Sequence, residues 1–161
     1  MEFFSTAFGK AIITFLMSMV PVIELRGSIP YAFAADVEPW LAYTLSVVGN
    51  MVPMPFILLF IRKIFAWMKK YPRLGKIALK LEQRAANKSS GVRKSEIVGL
   101  CILVAIPLPG TGAWTGALVA ALMDMRMKKA LPTIFVGVLI AGIAVTLVTY
   151  LGIEALSWMA G

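Results

Sequence analysis

Histidine is absent from the 161 residues, and cysteine occurs once, as Cys101 inside an apolar run. Without imidazole the chain lacks the commonest metal ligand and the usual general base near neutral pH, so zinc sites and histidine-based triads are excluded. A lone thiol forms no intrachain disulfide, and Cys101 reads as a small packed side chain. No nucleophile stands beside a base, so the sequence points to no catalytic residue, no metal site and no cofactor, and it does not read as an enzyme. Charge is scarce too: 15% of residues are charged against 60% hydrophobic, with a mean hydropathy of +0.85. One soluble domain could not hide so much apolar surface from water, and the chain reads as an integral membrane protein.

What charge there is has a place. The net charge is +8, but eleven of the sixteen Lys and Arg fall between Arg62 and Lys94, bordered by apolar segments on both sides. Such a block reads as a cytoplasmic loop facing anionic lipid headgroups, where each basic residue contributes roughly 1 kcal/mol, rather than as a nucleic-acid surface. Lys10 before an apolar run and the small residues Ala32-Phe33-Ala34 resemble a secretory signal, but Glu2 opens the chain and no basic cluster precedes the run. The segment is therefore expected to stay with the chain.

Four apolar blocks are visible, at residues 7–35, 40–61, 97–123 and 131–153. The first and third are interrupted, by PVIELRGSIP (21–30) and by IPLPGTGAW (106–114). Unbroken, either would make a helix of about 40 Å, well over the roughly 30 Å hydrocarbon core. Folded back at the interruption, each arm reaches only the midplane, so 7–35 and 97–123 are expected to be re-entrant helical hairpins. Charge supports this for the second, because a full crossing would put Arg126, Lys128 and Lys129 outside. Residues 40–62 and 131–153 are expected to cross, while 62–96 and 124–129 stay cytoplasmic. Between the halves, 63–96 holds a surface helix with Leu74, Ile77, Ala78, Leu81 and Ala85 on one face and a short NKSSG linker.

Placing Pro21 over Pro107 sets Asp36 near Asp124, and thirteen residues after each Asp comes a glycine, Gly49 or Gly137. The expected fold is thus all-α, in two inverted repeats: 7–62 as hairpin plus crossing, and 97–153 as the same again, a plan common among secondary transporters. In NMVPMP (50–55), Pro53 and Pro55 withdraw two backbone donors and are expected to kink the first crossing, as a hinge or as a fit around the hairpin. Only two full crossings shield this much polar backbone poorly, so a homodimer is expected.

Glu24 and Arg26 carry the chemistry of the first interruption. On a regular helix they would point about 200° apart, and each would cost roughly 2.5–3.5 kcal/mol at the bilayer centre. A non-helical turn framed by Pro21 and Pro30, with Gly27 free to adopt positive φ, is expected instead. Arg26 would then anchor an anionic group and Glu24 would carry a proton, or the two would form an internal pair that locks the turn. Burial disfavours the charge on Glu24 and Arg26 favours it, and the sequence leaves the balance open. In the second interruption Pro107 and Pro109 act as hinges, Gly110 and Gly112 permit unusual φ, and Thr111, Thr115 and Trp114 offer hydrogen-bonding groups. The Lys-Ser/Thr ending of a phosphate loop is missing, so no nucleotide site is expected. A helix starting near Ala113 would aim its amides at the midplane and favour a negative group there. Asp36, Glu38 and Asp124 read as solvated turn and cap residues, with Asp124 also a candidate for a proton path.

PVIELRGSIP and IPLPGTGAWTGAL, with the basic helix between them, resemble the prokaryotic family of putative small multidrug export proteins over nearly the whole chain. That family is distantly similar to the DedA, or VTT-domain, superfamily, which implies paired re-entrant loops, a prokaryotic inner-membrane location and transport of polyprenyl-phosphate or other lipids. By the resemblance Glu24 matches the acidic residue of the first loop. The second loop departs from the DedA pattern, offering backbone and hydroxyl groups in place of arginines. The function expected is proton-coupled export of amphiphilic molecules, with a flippase for phosphate-headed lipid or a non-transporting assembly protein as alternatives.

Overall fold

Proline sets the first boundary. Thr6 starts α1 (Ala7–Met19) by accepting the Gly9 N–H at 3.1 Å, and the helix stops where Pro21 forces Val20 into extended backbone, φ −74° and ψ 128°. Later helices also end ahead of Pro53 and Pro107, but Val52 before Pro53 keeps helical backbone, φ −54° and ψ −47°, so there the missing proline N–H, not a forced extension, marks the end. In this computed structural model residues 6–72, 74–77, 79–80, 83, 96–108, 110–123 and 125–160 are described. After α1 come α2 (Glu24–Ala34), α3 (Pro39–Met51), α4 (Met54–Met68), α5 (Glu96–Ala105), α6 (Ala113–Leu122) and α7 (Met127–Ala160). Among the described residues there is no strand, and those between 72 and 80 are helical. Ala78, Leu81 and Ala85 of the expected surface face lie outside them.

The chain forms two compact units. One takes the described residues up to Val52 and those from Val138, and the other takes Pro53–Gly137. In the first unit α1, α2 and α3 pack on one another, and in the second α6 packs on α4 and α5. Both cores are rich in small side chains: Ala32, Ala42, Ser28, Ser46 and Gly49 in the first, Ala113, Gly116, Ala117, Ala120 and Ala130 in the second. Leu25 and Ile29 are buried in the first and Met54, Leu100 and Ile134 in the second, while many other large apolar residues lie outside, including Phe56, Leu59 and Phe60 on α4 and Ile143, Leu147 and Val148 on α7. Small residues at the helix contacts and bulky apolar groups left on the surface fit the packing of helices in lipid, where such groups gain nothing by hiding. Two stretches, Pro39–Ile61 and Met127–Gly152, are long and apolar enough to cross a membrane. The first is broken by a turn at residues 52–53, where the missing proline donors were expected to kink it.

Several devices recur at one constant displacement along the chain. Val22 and Glu24 have positive φ, 80° and 49°, and so do their counterparts Gly110 and Gly112, 75° and 133°. After α2 the Val37 N–H bonds the Ala32 carbonyl at 2.9 Å, and after α6 the Met125 N–H bonds the Ala120 carbonyl at 3.0 Å. This is the closing bond of a Schellman cap, with the buried pair Ala32 and Val37, or Ala120 and Met125, supplying its apolar contact. Ala42 matches Ala130 and Gly49 matches Gly137, every one of them buried.

Only the second half fills its left-handed positions with glycine. Val22 is β-branched and 94% exposed, so its φ is a backbone strain that no side-chain contact repays. Val22→Gly should therefore raise the free energy of unfolding by about 1 kcal/mol, allowing for the entropy glycine loses. Helicity followed by circular dichroism during SDS titration in mixed micelles would measure it.

Candidate functional site

The turn that was expected across PVIELRG is confined to residues 20–23. α2 begins at Glu24, so Arg26 and Gly27 are helical, and Pro30 sits inside the helix instead of framing the turn. The turn closes early because Val22 and Glu24, not Gly27, take the left-handed backbone. Gly27 serves close packing: its N–H bonds the Ile23 carbonyl at 3.0 Å, and a Cβ there would come within 2.5 Å of Ile23 Cγ2. A helical Glu24 is tolerable for two reasons. It stands in the first turn, where free amides and the positive end of the helix dipole face a carboxylate, and the bundle buries it to 5% exposure. Arg26 is less buried than Glu24, and the two charges interact electrostatically.

Behind Glu24 lies a polar seam that the sequence did not announce. Ser28 Oγ donates to Ser46 Oγ at 2.6 Å across α2 and α3, both residues fully buried. Asn50, one turn beyond Ser46 on α3, is also fully buried, as are Thr14 and Ser18 on α1. Ser18 Oγ donates to the Phe15 carbonyl at 2.7 Å and Thr14 Oγ1 to the Lys10 carbonyl at 2.8 Å. The signal was present as Ser46 and Asn50 four residues apart in an apolar run, a spacing that puts both on one helix face.

In the second unit the described residues between Ile106 and Gly112 are non-helical, and Gly112 is the N-cap of α6. Thr111 Oγ1 reaches the carbonyls of Ile106 at 2.7 Å and Leu108 at 2.8 Å, and Thr115 Oγ1 donates to the Gly110 carbonyl at 3.0 Å. These threonines tie the turn to itself, and Trp114 is half-buried at the second position of α6. Pro107 lies in the turn, while Pro109 and Asp124 lie outside the described residues. Of the other hinge prolines, Pro21 lies in the first turn, Pro53 in the break of the first crossing and Pro55 just inside α4. The seven residues expected to bind substrate thus form two groups, Glu24, Arg26 and Gly27 in one unit and Gly110, Thr111, Gly112 and Trp114 in the other.

Asp36 and Glu38 are exposed, as expected of turn and cap residues, and the Glu38 carboxylate accepts the Trp40 indole N–H. Nearby, Trp40, Tyr43 and Thr44 of α3 and Ile143, Thr146 and Leu147 of α7 line a groove of about 270 Å³ within the first unit. Tyr43 Oη donates to the Leu139 carbonyl at 3.3 Å and Tyr150 Oη to the Val37 carbonyl at 2.7 Å, holding this part of α7 against α3 and the cap of α2. Among the described residues no cluster of acidic or sulfur side chains could hold a metal ion.

No curated protein and no solved structure matches the chain. A family described as "Putative small multi-drug export protein" matches residues 24–144, from the first residue of α2 into α7. With three quarters of its length matched, the chain belongs to that family of membrane export proteins.

Proposed function

We propose that the protein is a small transporter of prokaryotic inner membranes that exports amphiphilic molecules, with Glu24 coupling export to protons. The observation that carries this reading is a buried carboxylate in the first turn of α2, inside a bundle rich in small residues whose outer surface is apolar. An ionisable group at such depth is a candidate for a proton or substrate path. The groove beside Trp40 and Tyr43, apolar but for its threonines, suits the greasy part of an amphiphile.

The recurring turns, caps and glycines support an inverted-repeat plan in which both helix pairs, α1–α2 and α5–α6, are re-entrant. On that plan residues 62–96 and 124–129 are cytoplasmic, the basic block binds anionic lipid, and a second copy of the chain covers the thin side of the bundle. Arg26, partly withdrawn from the surface, favours one second reading: translocation of a phosphate-headed lipid, to which the resemblance to DedA proteins also points.

Proteoliposomes with an imposed pH gradient separate the two readings. A cationic amphiphilic dye should be moved by the wild type and not by Glu24→Gln, with Arg26→Ala retaining most of the flux. Movement of labelled polyprenyl phosphate that needs Arg26 would establish the lipid reading instead. Folded protein that moves neither would leave an assembly role.

A further inference from the structure

The groove between α3 and α7 has a polar end. Asp36 and Glu38 lie exposed in the connection before α3, and the Glu38 carboxylate accepts the indole N–H of Trp40, a side chain left 64% exposed. An ionised carboxylate offers about four lone-pair sites, so most of its acceptor capacity stays open. In the opposite wall Thr146 Oγ1 is buried and has no hydrogen-bond partner. The two helices run antiparallel here: Tyr150 bonds the Val37 carbonyl, and a Cβ on Gly142 would meet Tyr43 at 2.7 Å and Val47 at 3.3 Å. Between those contacts Thr146 comes level with the first turn of α3, where Trp40 stands.

These groups suit a positive head and an apolar tail. A cation near an indole face is attracted by the ring quadrupole, and two carboxylates supply the counter-charge. The positive pole of α3 opposes it with about half a charge, which the carboxylates outweigh. Of the two described basic residues of this unit, Arg26 stands about two turns before the end of α2 and Lys10 on α1, and neither lines the groove. The unpartnered Thr146 hydroxyl can accept an N–H, which a protonated amine offers and a quaternary ammonium lacks. Past the head, Tyr43, Ile143 and Leu147 give an apolar lining. The volume of about 270 Å³ falls just under the roughly 300–1,000 Å³ of small-molecule pockets, enough for a single chain. Trp40 opens a stretch long enough to cross a membrane, where tryptophans mark the headgroup level at which an amphiphile carries its charge.

We propose that this groove binds single-chain alkylammonium ions, protonated amines whose nitrogen lies among Glu38, Trp40 and Thr146 with the chain along α7. The inference rests on the export reading, whose substrate class it narrows, but binding can be measured without transport. A phosphate head would meet the acidic rim and two acyl chains would overfill the groove, so the occupant is the free amine and not an aminolipid. Labelled decylammonium would be dialysed to equilibrium against the protein in phosphatidylcholine nanodiscs, with binding to empty discs subtracted. One saturable site per chain is expected, for which decanol does not compete. Glu38→Gln and Trp40→Leu should each weaken it about three- to fivefold. Both positions are exposed, so the variants should fold as the wild type does. Thr146→Val should weaken decylammonium and leave decyltrimethylammonium unchanged. No saturable excess over empty discs, or an affinity that all three variants keep, would overturn the proposal. Loss of the site when phosphatidylethanolamine is added to the discs would overturn it too, giving the groove to an aminolipid. Binding without flux would count against the transporter reading alone, and flux without binding here against this site alone.

Discussion

Gly49→Ala should cost about 3 kcal/mol, the upper end of overpacking penalties, and sharply reduce the folded protein recovered from membranes. The added Cβ would land on Ser18 Oγ, 2.5 Å from the Phe15 carbonyl oxygen and 3.1 Å from its ring. Turning Ser18 away would break its 2.7 Å bond to that carbonyl and still leave the backbone carbonyl in the way. The backbone of α1 must move off α3, taking the polar seam with it. Gly152 of α7 is the control: nothing lies within 4 Å of a Cβ there, so Gly152→Ala should gain up to about 1 kcal/mol from helix propensity. The difference in SDS unfolding midpoints between the two variants is the measurement. Equal midpoints would mean that α1 and α3 do not pack as described.

Gly112→Ala should cost nearly as much, about 3 kcal/mol, for a different reason. With φ 133° and ψ −171°, Gly112 occupies backbone that side-chain-bearing residues avoid, and it caps the helix that carries Trp114. Gly110, at φ 75°, lies near the left-handed region that asparagine also visits. Gly110→Asn should therefore cost less than about 1 kcal/mol, and the pair of variants separates backbone conformation from the mere loss of a glycine. The same unfolding titration reads both. A Gly112→Ala variant as stable as Gly110→Asn would contradict this turn geometry.

The sequence revealed its punctuation better than its packing. Proline restricts the residue before it and withdraws its own N–H from the helix, so the ends of α1, α3 and α5 were legible at Pro21, Pro53 and Pro107, as was the glycine turn before α6. The Glu24 and Arg26 turn was misplaced because the cost of two charges on one helix was reckoned against lipid on every side. A bundle of alanine, serine and glycine offers a second environment, and one face of α2 turns into it. Asn50 went unnoticed beside Gly49: its spacing from Ser46 put both on one face of α3, but that this face is the buried one depends on α1 and α2 packing against it. The left-handed Val22 gave no warning, since a β-branched residue is the last choice for that conformation.

Val22 and Glu24 also make the two turns mechanically unequal. Each left-handed residue raises the energy of its turn by roughly 1–2 kcal/mol, so a rearrangement that returns both to negative φ starts about 30-fold or more ahead of the same rearrangement in a turn with glycine at both places. The turn that holds Gly110 and Gly112, glycine at both places, rests without that load. Under a push felt equally by the two turns, the one beside the buried carboxylate would yield first.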